Sequence, residues 1–492
     1  MLKMSVAGSE VKALAAENRR LSQELCAALA VIDSQRSALT ELQTQNTTLS
    51  ERVRELESQL KINSQNSSKP PRSDGPEVDR TGHRSRGQRT KRLRGGQPGH
   101  ASTARTPIRP EDADRQEDVV PERCERCDAP LTGRDESPIG RPLYEIPPLT
   151  IDLTWYWLHR LRCASCGHET CGRAPDAVGK SLFGVRIHAL LAVLVGRFRQ
   201  SKRLAGELFE MIYGVPLPAS TICDMEKRTS AALEAPVEEV RAHLARSDVV
   251  HADETSWRVA KNKAWLWLVA TERVAFYWID RSRGGKVIRG ILGADFKGVV
   301  VVDRWSAYAR YVRAFCWAHV LRDFIAMSER YYSEWHGVRL ENDGRAVMRI
   351  WRAWRAGTLS RSEMVRAIEP IRDRMNTVLT WTRDGAPGAK ARAIAGELHR
   401  HQACLWRFLT DELIPMTNNL GERLIRPSVI VRSLSQGNDT AEGAIFTARI
   451  LTTVSTLRLQ RRNPLDFLAL AIACHAQGRP MPSLLPDHAR AT

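Results

Sequence analysis

No apolar run in the chain approaches the roughly 20 residues that a membrane-spanning helix needs; the longest lies near Ala189 to Val195. The N-terminus also lacks the charged, then apolar, then small-residue order of an export signal, so a cytoplasmic chain is expected. Acid is in deficit, with 56 Asp+Glu against 74 Lys+Arg and a formal net charge of +18. That balance excludes nothing about fold but favours a polyanionic partner, most simply nucleic acid. A disulfide framework is not indicated either. Four of the ten cysteines fall in two Cys-x-x-Cys pairs, a spacing that reads as metal ligation in an intracellular chain. Proline is absent from the first sixty residues, which removes the strongest helix breaker there. At 492 residues the chain exceeds one core, and roughly two to four domains are expected.

Within that proline-free stretch a heptad repeat is present. Position a holds Val11, Asn18, Leu25, Ile32, Leu39, Asn46, Val53 and Leu60, and position d holds Leu14, Leu21, Ala28, Gln35, Leu42, Leu49 and Leu56. Twelve of these fifteen are apolar, which predicts a coiled coil, a leucine zipper joining two copies as a homodimer. Asn18 and Asn46 at a positions favour a parallel two-stranded register at some cost in stability. The plainer alternative is a single amphipathic helix packed on the body.

After Ile62 the composition becomes polar and rich in Pro, Gly and Ser. Between Lys61 and Pro110 twelve Lys+Arg face three Asp+Glu, half of the net charge of the chain. Such a segment cannot bury enough apolar surface to fold alone. It reads as a disordered linker whose Arg84, Arg86, Arg89, Lys91, Arg92 and Arg94 track a phosphate backbone. Cys124, Cys127, Cys163 and Cys166 follow as a tetrahedral Zn2+ set with a structural role, since four protein ligands leave no open position. His168 and Cys171 are possible substitute ligands, and unligated cysteines are the plain alternative. Ile151, Leu153, Trp155 and Trp157 alternate with polar or aromatic neighbours, which predicts a strand and a hairpin between the two pairs. From Val185 to about Leu233 the pattern turns helical. A Gly-Val-Pro-Leu-Pro turn and Ser220 as an N-cap would open a helix carrying Lys227 and Arg228, an arrangement similar to a DNA-binding helix-turn-helix. A plain helical bundle fits equally.

Beyond Asp248 the period changes to two. Val249 to Val259, Ala264 to Thr271 and Val274 to Ile279 read as strands in antiparallel hairpins, with a helix from Gly285 to Leu292. "GVVVVD" is then a continuously apolar strand, the mark of a sheet centre, ending on Asp303. Three antiparallel strands, a helix and a central strand follow the order of a ribonuclease-H-like fold, in which the first and fourth strands lie side by side. Asp253 and Asp303 would then meet at one edge of the sheet. Asp253 and Glu254 are adjacent on a strand and face opposite ways, so only one can enter that site, and spacing does not choose between them. Two carboxylates can hold Mg2+, and a pair of ions wants a third. Glu422 is a candidate, on a helix where Asn419, Arg423 and Arg426 share its face. A surface helix with Glu422 salt-bridged to Arg426 is the plain alternative.

The blocks "HADETSW", "VVDRWSAY", "CWAHVLRDF" and "TNNLGERLIRPSVIVRS" resemble, in order, those of transposases of the insertion sequence 66 family. The zipper, the "NSQNSSKPPRSD" linker, the "RGGQPGH" block and the paired Cys-x-x-Cys match too. The resemblance implies a bacterial, nucleoid-associated DDE transposase in which Asp253, Asp303 and Glu422 hold two Mg2+ (or Mn2+) ions. That enzyme would cleave the element ends at their terminal inverted repeats and transfer the freed strand to target DNA, with accessory proteins of the same element. Glu254, turned away, would matter little. Cys316 and His319 are similar to a Cys-x-x-His signature of some DDE enzymes and stand outside the triad. The expected organisation is multidomain: an α coiled coil over 8–62, the basic disordered linker over 63–115 and a small β zinc-binding module over 116–172. A helical helix-turn-helix-like DNA-binding region over 173–240 follows. The α/β ribonuclease-H-like core spans 245–440 with a helical insertion over about 330–410, and a C-terminal helical segment covers 441–492. The rival readings are a catalytically inactive zinc and coiled-coil regulator that binds DNA, and a nuclease or resolvase that cuts without strand transfer.

Overall fold

The computed structural model describes residues 3–60, 109–147, 149–173, 181–198, 200–330, 332–435 and 437–486. The basic stretch from Arg84 to Arg94 lies outside the described residues. Helix and sheet are mixed: a helical N-terminus precedes an α/β core, and among the described residues no helix is long and apolar enough to cross a membrane.

Helix α1, Lys3–Leu60, is 58 residues of uninterrupted helix, about 87 Å long at 1.5 Å per residue. Its heptad positions from Val11 to Leu56 are bare, with Leu14 62% and Leu42 62% exposed. Strands β1, Arg160–Arg162, and β2, Glu169–Cys171, form a hairpin over the second Cys-x-x-Cys. The strand expected over Ile151 to Trp157 is not there. Alternation alone does not make a strand: without a neighbour to pair with, Leu153, Trp155 and Trp157 stay exposed.

Four helices follow: α2, Val185–Gly196; α3, Lys202–Tyr213; α4, Ala219–Ala232; and α5, Glu234–Leu244. Ser201 caps α3 by accepting from Leu204 N–H, and Gly214 ends it at φ +70°, a left-handed stop that favours glycine. Ser220, expected as a cap, instead lies inside the first turn of α4, because the helix starts one residue after Pro218. Leu191, Phe209, Leu217, Ile222 and Met225 form the small core of this group.

The central sheet holds β3, Val249–Val259; β4, Asn262–Ala270; β5, Ala275–Asp280; then, after α6, Gly285–Leu292, β6, Val299–Val302, and β7, Val312–Phe315. Its order is β5-β4-β3-β6-β7. The first three strands are antiparallel, and β6 lies parallel between β3 and β7. Val300, Val301 and Val302 are fully buried, as a strand with neighbours on both sides requires. Strand β7 was not anticipated: "VRAF" is four residues with an arginine in the middle, too short to show a period.

The chain continues through α7, Trp317–Ser328; α8, Glu334–Arg355; α9, Arg361–Gly385; α10, Ala389–Arg400; and the short α11, Gln402–Leu405. These helices share a core with Val301 and Phe315 on one face of the sheet. Helix α12, Asn419–Ser435, packs across β3 on that face. The other face is covered by α5, α6, α13, Ala441–Leu459, and α14, Pro464–Ala476, around Val250, Ala252, Trp267 and Val302. Helix α13 also closes the edge strand β5. Thr452 Oγ1 accepts from Tyr277 N–H at 2.9 Å, and Thr456 Oγ1 bonds both Ala275 N–H and Ala275 C=O at 3.0 Å.

Candidate active site

Residues alternate across β3. His251 and Asp253 face α12, while Ala252 and Glu254 face α6 and the Trp267 core. In the parallel pairing with β6, His251 stands opposite Val301, so two residues further on Asp253 comes beside Asp303, just past the end of β6. Each aspartate is held by a backbone N–H: Glu254 N–H donates to Asp253 Oδ1 at 2.8 Å, and Trp305 N–H donates to Asp303 Oδ1 at 2.9 Å. Burial, and then the charges of Glu254 and Asp303, hold the Asp253 carboxyl well above its ordinary value, with Glu422 adding to the effect.

Glu422 lies in the first turn of α12, near enough to Asp253 for their charges to interact, but its carboxylate is turned toward α7. Its Oε1 is 3.8 Å from Cys316 Sγ and 3.5 Å from His319 Nδ1. No Glu422–Arg426 ion pair occurs among the described residues; Asn419, Arg423 and Arg426 are exposed on the outer side of the helix. Cys316 sits at the N-cap of α7, fully buried, and burial pushes its thiol up to about 11. Burial, and then the charge of Arg322, lower the His319 pKa. The ligand atoms of Cys316, His319 and Glu422 all lie within 4.8 Å of one another; among the described residues, those of Asp253, Asp303 and Glu422 do not gather in this way.

Asn418 joins these parts. Its Nδ2 donates to Ala252 C=O at 2.8 Å, which leaves Oδ1 to accept from His251 Nδ1–H at 2.8 Å, and its backbone N–H donates to Cys316 Sγ at 3.1 Å. Gly421 makes room for this: a Cβ there would lie 2.7 Å from Asn418 Oδ1. Spacing puts Asn419 on the face of Glu422, but the contacts are made by Asn418, whose role depends on three separate segments and so has no signal in the local sequence.

Behind the sheet Glu254 turns away from Asp253, as alternation requires, yet it is not solvated. Its side chain is 2% exposed. Glu254 Oε1 accepts two N–H bonds from Arg283 at 2.8 and 3.0 Å, and Oε2 accepts from the Tyr308 hydroxyl at 2.5 Å. The Arg283 guanidinium lies between two indoles, 4.5 Å from the Trp265 ring and 3.9 Å from that of Trp305. Trp305 is also the residue whose N–H holds Asp303, so the rear network and the front carboxylates share a backbone. On the other side of Asp303, Arg304 pairs with Asp323 of α7 and with Glu397 of α10 at 3.0 Å, tying the end of β6 to the helical layer.

Away from the sheet the two Cys-x-x-Cys pairs form separate tight turns. Asp128 N–H donates to Cys124 C=O and Gly167 N–H to Cys163 C=O, both at 2.9 Å. Backbone N–H groups within each turn lower the Cys124 and Cys163 thiols. Among the described residues the four sulfurs do not converge on one point. His168 C=O accepts from Cys163 N–H, and Cys171 ends β2. On α4, Lys227 pairs with Asp224 at 3.6 Å, and Arg228 is exposed.

A profile described as "Transposase IS66 family" matches residues 180–445, more than half of the chain, and so spans the sheet, the helical layer and α12. A second, "Family of unknown function (DUF6444)", matches residues 8–106. Two proteins of Sinorhizobium fredii are similar, both described only as uncharacterized. One, y4qI, is 26% identical over 312 residues, covering 55% of this chain and 56% of its own length. The other, y4hP, is 22% identical over 432 residues, covering 75% and 74%. The chain thus spans little more than half the length of the first of these relatives.

Proposed function

Because the chain belongs to the IS66 transposase family, we propose that it cleaves DNA at the ends of a mobile element and transfers the freed strand, using Asp253, Asp303 and Glu422. The observation that carries the assignment is that Asp253 on β3 lies beside Asp303, just past the end of the neighbouring parallel strand β6, with the helix of Glu422 packed across the same face. Three antiparallel strands, a helix and a parallel pair are also the order of a ribonuclease-H-like core, in which such acids share an edge.

The residues fit Mg2+ or Mn2+. All three donors are hard carboxylate oxygens, and the crowding that raises the Asp253 carboxyl is relieved by a divalent cation. Bound there, as one ion or two, the metal would neutralise charge developing on the scissile phosphate during in-line transfer. The chain supplies the positioning. Glu254 N–H and Trp305 N–H orient the two aspartates, Asn418 fixes the start of α12 against β3, and the exposed Arg423 and Arg426 would meet phosphate oxygens. The basic linker and the α3–α4 pair, with Lys227 and Arg228, would supply affinity for the element ends. Helix α1 would pair two copies, and Zn2+ would draw together the two cysteine turns, whose N–H groups already favour thiolate.

Asp303→Asn tests the assignment. Cleavage of element-end DNA should fall by orders of magnitude with Mg2+ while DNA binding persists, and Asp253→Asn and Glu422→Gln should behave alike without adding much to each other. Full cleavage by Asp303→Asn would refute the assignment.

A further inference from the structure

We propose that Cys316, His319 and Glu422 form a binding site for a soft divalent transition ion, Zn2+ foremost, so that Glu422 is shared between this site and the aspartate pair. The assignment of the ion stands on the geometry of the three side chains. The sharing rests on the reading of Glu422 as the third catalytic carboxylate.

The separations are those of one face of a tetrahedron. Sulfur to oxygen is 3.8 Å and nitrogen to oxygen 3.5 Å, with all three atoms within 4.8 Å. Ligands around tetrahedral Zn2+, at bond lengths of about 2.0–2.3 Å, stand about 3.3–3.6 Å apart, so small side-chain shifts close the site. Thiol, imidazole and carboxylate together are a zinc donor set; Mg2+ has no use for sulfur.

Two further features point the same way. His319 Nδ1 is buried and makes no hydrogen bond: although it faces Glu422 Oε1 at 3.5 Å, the pair lacks bonding geometry. A buried ring nitrogen that lies this close to a carboxylate without a hydrogen bond is an orphaned polar atom, and a cation between the two would satisfy both. Cys316 Sγ accepts from Asn418 N–H at 3.1 Å, across the site, and its S–H faces Glu422 Oε1 at 3.8 Å. A backbone N–H donating to the sulfur suits a thiolate as well as a thiol. On coordination the Cys316 S–H bond breaks, the proton leaves to solvent and the sulfur pair forms the metal bond, with no change of oxidation state.

The consequence is competition. With Glu422 engaged beside Cys316 and His319, it is withdrawn from Asp253 and Asp303, and Zn2+ occupancy would hold the enzyme in an idle state that chelation releases.

The test uses the full-length chain, stripped of metal and titrated with Co2+ as a spectroscopic probe and then with Zn2+. The wild type should bind one equivalent that Cys316→Ser and His319→Gln each lose or bind at least tenfold more weakly, and the sulfur-to-cobalt absorption of that equivalent should vanish in Cys316→Ser. Cys163→Ser should remove a different equivalent. Asp303→Asn should keep the site although it abolishes cleavage, which separates this proposal from the assignment of the carboxylates. Equal stoichiometry and affinity in wild type and Cys316→Ser overturn the site. Because buried Cys316 bears on folding, the half-buried His319→Gln variant, checked by circular dichroism, decides the matter if Cys316→Ser does not fold. Zn2+ at saturation should depress Mg2+-supported cleavage at least tenfold; unchanged cleavage overturns the sharing of Glu422.

Discussion

Asn418 Oδ1 accepts a hydrogen bond from His251 Nδ1–H at 2.8 Å, across 167 positions of sequence. Through this contact α12 is fixed to the strand that carries Asp253. Asn418 is 2% exposed and has both side-chain polar atoms engaged. Asn418→Ala should therefore cost about 1–3 kcal/mol, because it leaves His251 Nδ1–H and Ala252 C=O buried without partners. It should also lower cleavage through misplacement of Glu422. Urea unfolding checks the first part, and stability equal to wild type would show that the link carries no load.

Glu254→Gln separates a supporting role from a chemical one. The substitution keeps size but removes the charge facing Arg283, which stays held between Trp265 and Trp305. We expect a loss of about 1–3 kcal/mol in stability and a partial fall in cleavage, well short of that for Asp303→Asn. Tyr308→Phe, which removes only the 2.5 Å bond, should do the same more weakly. Thermal melting beside a cleavage assay reads both, and a Glu254→Gln protein as inactive as Asp303→Asn would place Glu254 in the chemistry itself.

His188 predicts an acid limit. It is 1% exposed in α2, with Nε2 3.2 Å from Ser181 Oγ. Burial, and then the charge of Arg228, lower its pKa from 6.5 to about 4. A depressed value in the folded state means that its contribution is present above pH 6.5 and is lost as pH falls through 4. The contribution is at most about 3 kcal/mol. Urea midpoints at pH 7.5 and pH 4.5 should differ less for His188→Gln than for wild type; an equal drop would remove His188 as the cause.

Helix α1 should associate. Its heptad residues from Val11 to Leu56 are exposed, more apolar surface than a lone helix keeps in water. Sedimentation of the full-length chain should show dimers, and Asn18→Leu with Asn46→Leu should raise the melting temperature of the helix and admit higher oligomers. A monomer at high micromolar concentration would count against the zipper.

What the sequence disclosed depended on periodicity and length. Strand β3 was read with both its ends, α6 likewise, and the valines of β6 announced a central strand, because each carries a regular pattern over its full length. The family blocks were legible for the same reason, as contiguous words. Strand β7 was too short to show a period, and Trp155 and Trp157 alternated without a neighbouring strand to make the pattern structural. The rear network of Glu254, Arg283, Trp305 and Tyr308 was hidden for another reason. It is assembled from three segments, and nothing in "DETSW" tells whether the second acid meets water or a guanidinium held between two indoles.

The threonines of α13 have a consequence for shortened forms of the protein. Thr452 and Thr456 occupy amide and carbonyl groups of β5 that would otherwise offer themselves to any passing extended chain. A translation product ending before Ala441 would keep all three carboxylates but present an open sheet margin. Such a product should polymerise through added strands rather than compete with the full-length protein for DNA, so premature stops here would yield insoluble protein, not dominant-negative inhibitors.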